Sequence, residues 1–285
     1  MIRVERGDAR WGIPEDPDFD ERFRRHRVAR WIRGVRNGMS LRSLLGFRLG
    51  VSNEIRFHGV AVRQSPNQAT YRLIEDIWMR GEYDLPGVVP QPGWRVVDVG
   101  ANVGIYAMLA ASRGARVTAY EPGPAAFERL QANTAAWQVQ CHHAAVVGVP
   151  QRSVRLFLHP VRDTRNTMLG DRGGVSNRAR AEGVVPPVSF AGSVEVPAVT
   201  MQDVLATPCD LLKIACEGAE FELLAHAGPQ LRHAARIVME LHGEFTTEHG
   251  DAAEAVQRVR DAGFDVAVTT PYPGTSRRFL TAARR

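Results

Sequence analysis

Lysine is almost absent from this chain of 285 residues: Lys213 is the only lysine among 36 basic residues. Cysteine is also scarce, with three residues whose spacing argues against both a disulfide framework and a zinc site. No uninterrupted apolar run approaches the roughly 18 residues of a membrane span, and the first residues lack the apolar core of a secretory signal. We therefore expect a cytoplasmic protein with buried, free thiols.

The net charge of +5 is confined to the N-terminal part of the chain. Residues 1–48 contain twelve arginines and seven acids, whereas the remainder has 24 basic and 24 acidic residues. Within the acid-free stretch 22–48, four apolar residues follow helical spacing: Val28, Trp31, Ile32 and Val35. This predicts a basic amphipathic helix. Either it packs over the domain and exposes its arginines, or it docks onto a carrier protein, an anionic lipid surface or nucleic acid.

The remaining sequence predicts a single α/β domain. With 44% hydrophobic residues the chain can bury a sizeable core, and strands alternate with helices as in a doubly wound sheet. We predict a basic helical extension over residues 1–66 and the α/β domain over residues 67–285. Residues 160–192 interrupt the alternation with glycine, arginine and serine, and such long loops are usually substrate-binding segments.

Residues 96–104 form the most informative stretch, Val-Val-Asp-Val-Gly-Ala-Asn-Val-Gly. Its apolar, β-branched residues predict a buried parallel strand. Gly100 and Gly104 then predict a tight turn into a helix that begins at Ile105. Asp98 lies two residues before the first glycine, where an acid would repel a pyrophosphate but suits a ligand with an ammonium group.

The next strand ends in Glu121 and Pro122, where a carboxylate is placed to accept hydrogen bonds from both hydroxyls of a ribose. A ligand with an ammonium group, a ribose and no phosphate is S-adenosylmethionine. The alternative is an ordinary strand, turn and helix with surface acids. The residues predicted to bind this cofactor are Asp98, Gly100, Ala101, Asn102, Gly104, Glu121, Pro122 and Ala145.

Three segments resemble the FkbM family of S-adenosylmethionine-dependent methyltransferases. Residues 98–106 and 120–124 resemble its cofactor half, and residues 210–220 (Asp-Leu-Leu-Lys-Ile-Ala-Cys-Glu-Gly-Ala-Glu) resemble its signature. Residues 237–242 (Ile-Val-Met-Glu-Leu-His) are similar to its closing strand. The resemblance implies a class I methyltransferase fold, which is a Rossmann-like, doubly wound sheet of seven strands. It also implies O-methylation of a small molecule such as a sugar, a polyketide or a peptide natural product.

Ligands of such sheets bind beyond the carboxyl ends of the strands, which makes four residues the catalytic candidates: Lys213, Glu217, Glu240 and His242. We expect His242 to remove a proton from the acceptor, because histidine titrates near neutral pH. Alternatively, His242 caps the sheet by a hydrogen bond to a loop. Lys213 either acts in the site or pairs with a neighbouring carboxylate.

Two further residues, Asn166 and Thr167, match a polar position of the family's loop. The resemblance implies that they contact the methyl acceptor, which is either free or bound to a carrier protein. Formation of a homo-oligomer stays open.

One departure from the family pattern bears on the mechanism. Ala215 stands where the signature has an aspartate, which puts a divalent metal in doubt because such a cation needs several oxygen ligands. Either proton removal then falls to Glu217 or His242, or the substrate needs no strong base. The same departure raises a second hypothesis, a catalytically degenerate interaction module that docks through the basic helix. A nucleic-acid methyltransferase is disfavoured, since no aromatic stacking pattern accompanies the charge.

Overall fold

The computed structural model describes residues 32, 34–36, 38–49, 51–52, 54–63, 69–158, 166–168, 190–241, 251–271 and 277–284. Three parts of the sequence predictions lie outside these residues. They are the candidate base His242, most of the predicted basic helix, and most of segment 160–192.

Helices and strands alternate along the described chain. In order they are α1 (Leu41–Arg48), β1 (Glu54–Phe57), β2 (Val60–Arg63), α2 (Ala69–Leu73), β3 (Arg95–Val99), α3 (Ile105–Ser112), β4 (Arg116–Tyr120), α4 (Pro124–Thr134), β5 (Val139–His142), β6 (Ala145–Val147), β7 (Ser153–Leu158), β8 (Gly192–Thr200), α5 (Met201–Val204), β9 (Leu211–Ile214), α6 (Glu220–Ala227), β10 (Arg236–Leu241), α7 (Ala252–Asp261), β11 (Phe264–Thr269) and β12 (Arg278–Arg284). A π-helical segment, Ile74–Met79, continues α2, and a 3-10 helix, Gly228–His233, follows α6.

Seven strands form the central sheet in the order β11-β12-β10-β9-β3-β4-β5. β3 pairs in parallel with both β4 and β9, and β12 runs antiparallel between β10 and β11. This confirms the predicted doubly wound sheet of seven strands. The chain proceeds from β3 to β4 on one side and returns to β9 on the other. The crevice between these two directions is where ligands of open α/β sheets bind.

Successive side chains of a strand point to opposite faces of the sheet. The apolar side chains of the central sheet therefore form two clusters, one on each face, and helices cover both. Val96 belongs to the cluster with Ile105 and Leu130, which α3 and α4 supply. Its neighbour Val97 belongs to the cluster with Phe221, from α6, and Val259, from α7. No helix among the described residues is long and apolar enough to cross a membrane.

A second sheet of three strands, in the order β6-β8-β7, lies outside the central one. The sequence predicts these strands singly but not their association. Their short apolar cluster includes Leu156 and Val196. At the edge of this sheet Phe157 forms an isolated antiparallel bridge with Thr167. The bridge holds Thr167, which belongs to the long loop, against β7.

Candidate functional site

The loop after β3 turns tightly against the end of β9. Gly100 has a φ of 76°, and a Cβ at this position would lie 1.9 Å from the carbonyl oxygen of Ala215. Gly104, with a φ of 88°, begins α3, and a Cβ there would lie 2.7 Å from Leu130 Cδ1. Only glycine combines this backbone conformation with these close approaches. Both glycines that the sequence singles out are thus required by the packing of the turn.

The Glu121 carboxylate joins the loops after β3 and β4. Its Oε2 accepts a hydrogen bond from Asn102 N at 2.8 Å, and its Oε1 accepts one from Gly123 N at 2.7 Å. Asn102 has a φ of 50°, which is uncommon outside glycine. Only 5% of Glu121 is exposed. A carboxylate accepts up to about four hydrogen bonds, and the two loop amides supply two of them.

Asp98 and Lys213 form a buried ion pair beneath this turn. Lys213 Nζ lies 2.8 Å from Asp98 Oδ1 and donates a hydrogen bond of 2.8 Å to the carbonyl oxygen of Gly100. The rings of Tyr83 and Tyr106 flank the ammonium, each with its centroid 5.8 Å from Nζ. Of the two interpretations of Lys213, the structure therefore shows pairing with a carboxylate. Catalytic action of Lys213 and cofactor binding by Asp98 stay predictions.

The turn after β9 holds Glu217 in a left-handed conformation, with a φ of 50°. Its carbonyl oxygen accepts a hydrogen bond of 3.1 Å from Thr167 Oγ1, and Gly218 N donates to Glu220 Oε2 at 2.8 Å. Non-glycine residues in this conformation cost about 1–3 kcal/mol and concentrate at functional sites. Burial, and then the neighbouring Glu220 carboxylate, raise the pKa of the Cys216 thiol well above its usual value, which favours a neutral thiol at this turn.

Two stacked histidines lie at the end of β5 and in the loop that follows it. His142 stacks on Tyr120 with ring centroids 4.9 Å apart, and His143 stacks on Phe127 at 4.8 Å. His143 Nε2 lies 3.0 Å from the carbonyl oxygen of Pro122, so this nitrogen carries the proton that the hydrogen bond needs. Ala145, the predicted cofactor residue in β6, is buried directly after this loop.

Glu240 lies at the same edge of the sheet but belongs to a different charged group. Arg277 Nε lies 3.5 Å from Glu240 Oε1, and Arg277 Nη1 lies 2.7 Å from Glu82 Oε1. Glu82 and Arg277 lie outside the family motifs, and no sequence pattern singles them out. Burial, offset in part by Arg277, raises the pKa of Glu82 to about 7, and Glu240 and Asp76 add to the rise.

The raised pKa of Glu82 predicts how stability changes with pH. The folded protein retains a proton on Glu82 that the unfolded chain loses above its ordinary pKa of 4.5. Stability from this group is therefore present below pH 4.5 and is lost as the pH rises to about 7. We expect Glu82→Gln to lose this part of the pH dependence, so that its free energy of unfolding falls less between pH 5 and pH 8 than that of the unmodified protein.

Urea unfolding at both pH values checks this prediction, with Glu128→Gln on the exposed side of α4 as the control. Equal pH dependence in Glu82→Gln and the unmodified protein would show that Glu82 is ionised at all of these pH values.

Comparison with known proteins places the chain in a family. The family model described as "Methyltransferase FkbM domain" matches residues 98–266, which is more than half of the chain. The chain belongs to the FkbM methyltransferase family. This confirms the resemblance seen in the sequence, and the matched region contains the loops after β3, β4 and β9 together with Glu240. The central sheet is accordingly that of a class I methyltransferase.

Several individual proteins are similar to this FkbM family member. The 31-O-demethyl-FK506 methyltransferase FkbM of Streptomyces tacrolimicus is 30% identical over 238 residues, which cover 75% of this chain and 89% of that protein. The AMB antimetabolite synthetase AmbE of Pseudomonas aeruginosa is 39% identical over 69 residues, which cover 24% of this chain and only 3% of that protein.

Solved structures are similar at lower identity. A TehB-like SAM-dependent methyltransferase from Corynebacterium glutamicum is 12% identical with a TM-score of 0.41, and the match covers 76% of this chain and 95% of that one. The magnesium protoporphyrin IX methyltransferase ChlM from Synechocystis, with bound SAM, is 14% identical with a TM-score of 0.37, and covers 68% and 71% of the two chains.

The structure brings most of the predicted site residues to one edge of the sheet. The loop after β3 contacts both the loop after β4 and the turn after β9, and Asn166 and Thr167 lie beside the last two. Among the described residues, no group of three or more histidine, cysteine or acidic side chains could hold a metal ion. The three cysteines are free, and burial raises the pKa of Cys209 to about 12.

Proposed function

We propose that this FkbM family member transfers the methyl group of S-adenosylmethionine to a hydroxyl of a small molecule, such as a sugar, a polyketide or a peptide natural product. The observation that carries the proposal is the buried Glu121 carboxylate, fixed by two loop amides at the carboxyl end of β4. A carboxylate held in this way beside the ligand-binding crevice of the sheet can accept hydrogen bonds from a vicinal diol such as that of ribose.

The charges of the site also fit such a cofactor. Asp98 Oδ2 is buried without a hydrogen-bond partner among the described residues. A buried carboxylate oxygen of this kind favours a nearby cationic or donor group. The proposed cofactor carries both an ammonium and a sulfonium.

In methyl transfer the protein itself has little covalent chemistry to perform. The bound cofactor supplies an electrophilic methyl group on sulfur. The protein must hold the acceptor oxygen in line with that methyl group and accept the proton that the hydroxyl loses. Glu217 and His242 are the proposed proton acceptors, because they follow the neighbouring strands β9 and β10.

The name of the FkbM relative from Streptomyces tacrolimicus supports an oxygen acceptor, because that protein is described as acting on 31-O-demethyl-FK506. The local similarity to an antimetabolite synthetase supports natural product biosynthesis. A screen of hydroxylated acceptors, free and carrier-bound, with mass detection of a gain of one methyl group, tests the proposal. Parallel reactions with Mg²⁺ and with EDTA test whether turnover requires a divalent metal, which Ala215 puts in doubt. Methylation of amines but of no hydroxyl would overturn the oxygen assignment.

We expect His242→Ala to lower kcat by about 100-fold or more, which is the usual contribution of a positioned base, and to leave the affinity for S-adenosylhomocysteine within about threefold. Steady-state kinetics and titration calorimetry measure the two quantities separately. Turnover close to that of the unmodified protein would remove His242 as the base and leave Glu217 as the candidate.

The second candidate function is a docking module without methyl transfer. Two apolar residues of the predicted basic helix, Ile32 and Val35, are 50% and 40% exposed among the described residues. Leu41, Leu45 and Leu49 are also exposed and follow one another at intervals of four residues. An exposed apolar stripe beside arginines favours a partner surface. Absence of turnover with every acceptor, together with partner binding that requires this stripe, would favour this candidate.

A further inference from the structure

A short part of the long loop, residues 166–168, lies against the site. Phe157 N donates to Thr167 O at 2.9 Å, and Thr167 N donates to Phe157 O at 3.2 Å, so the segment continues the edge of the three-stranded sheet. Thr167 is only 5% exposed. Its backbone is thus fixed by β7, and its side chain faces the neighbouring turn rather than solvent.

On one side this segment contacts the turn after β9. Thr167 Oγ1 donates to the carbonyl oxygen of Glu217 at 3.1 Å. That carbonyl belongs to a residue in the left-handed conformation, which persists only when its surroundings hold it. The carbonyl oxygen of Ala215, two residues earlier, packs closely against Gly100. The Thr167 hydroxyl therefore supports the same turn that packs against the β3 loop.

On its other side the segment lies beside the loop after β4. A Cβ added at Gly123 would lie 3.3 Å from Asn166 Nδ2. Gly123 N in turn donates to Glu121, and Glu121 accepts from Asn102 in the β3 loop. Four segments that are far apart in sequence thereby lie next to one another in a ring. In order, they are the loop after β3, the loop after β4, residues 166–167 and the turn after β9.

We propose that Thr167 is a positioning residue for the methyl donor: its hydroxyl holds this ring of loops around the cofactor and slows the release of the cofactor. The inference rests on the proposed function, since it assumes that S-adenosylmethionine binds within the ring. It assigns to Thr167 a role through Glu217, in addition to any contact with the acceptor. The hydroxyl acts by holding the β9 turn in place, so its removal should act on cofactor dissociation more than on association.

The test compares Thr167→Val, which keeps the shape and removes the hydroxyl, with Thr167→Ser, which keeps the hydroxyl. Loss of one hydrogen bond corresponds to a change of about tenfold. We expect Thr167→Val to bind S-adenosylhomocysteine about tenfold more weakly in calorimetry, mostly through faster dissociation in stopped-flow displacement. Thr167→Ser should stay within about threefold of the unmodified protein. Thr167→Ala serves as a second variant without the hydroxyl should Thr167→Val fail to fold.

Thr281→Val provides the matched control, because Thr281 is a buried threonine on β12, away from the ring. Unchanged affinity and dissociation rate in Thr167→Val would overturn the inference and leave the proposed function intact. An equal loss of affinity in Thr281→Val would also overturn it, because the effect would then be a general loss of stability. Failure of the folded, unmodified protein to bind S-adenosylhomocysteine would overturn the proposed function, and the inference with it.

Discussion

Glu121→Ala should abolish measurable binding of S-adenosylhomocysteine. Hydrogen bonds to a charged group contribute about 1.5–3 kcal/mol each, and a ribose would form two with this carboxylate. The substitution also leaves the amides of Asn102 and Gly123 without their acceptor, so the loops after β3 and β4 lose their connection. Together these effects correspond to an affinity loss of at least roughly 100-fold. Titration calorimetry on the folded variant measures it.

Glu128→Ala is the control for this substitution, because Glu128 is an exposed acid on the adjoining helix α4. Its affinity should equal that of the unmodified protein. Were Glu121→Ala to bind within a few-fold of the unmodified protein, the ribose assignment would be wrong and Glu121 would serve only to join the two loops.

Lys213→Met should strongly destabilise the folded protein. It leaves the Asp98 carboxylate buried without its cation and removes the hydrogen bond to the carbonyl oxygen of Gly100. Breaking a buried ion pair from one side costs about 3–5 kcal/mol. We expect the free energy of unfolding, measured with urea, to fall by that amount.

A second substitution separates the charge effect from lost packing. Asp98→Asn in the Lys213→Met background removes the unpaired charge, so we expect it to recover a large part of the lost stability in a double-mutant cycle. A loss below about 1 kcal/mol in Lys213→Met alone would contradict the account of Lys213 as the partner that makes a buried Asp98 tolerable.

The sequence predicted the central sheet well because its strands carry their own signals. A β-branched run that only Asp98 interrupts marks β3, and glycines mark its end, so the sequence predicts that α3 begins at Ile105, as it does. The turn between β1 and β2 is equally local, since His58 and Gly59, which form it, both have positive φ. In each case residues that are adjacent in sequence determine the local structure.

Contacts between distant segments could not be predicted in this way. Arg277 meets Glu82 across 195 positions of the chain, and nothing near either residue indicates the other. The association of β6, β7 and β8 into their own sheet depends on the same kind of long-range pairing. Even within a family motif the sequence does not identify the partner of a residue. The sequence allowed two roles for Lys213, and only the register of β9 beside β3 identifies Asp98 as its partner.

A crystal structure with bound S-adenosylhomocysteine would test the central claim most directly. The account predicts that the ligand lies at the carboxyl ends of β3 and β4, inside the ring of loops. Its two ribose hydroxyls should lie within hydrogen-bond distance of the Glu121 carboxylate, and its amino acid part should point toward the turn after β9. Binding elsewhere on the protein, or with the ribose away from Glu121, would contradict the account.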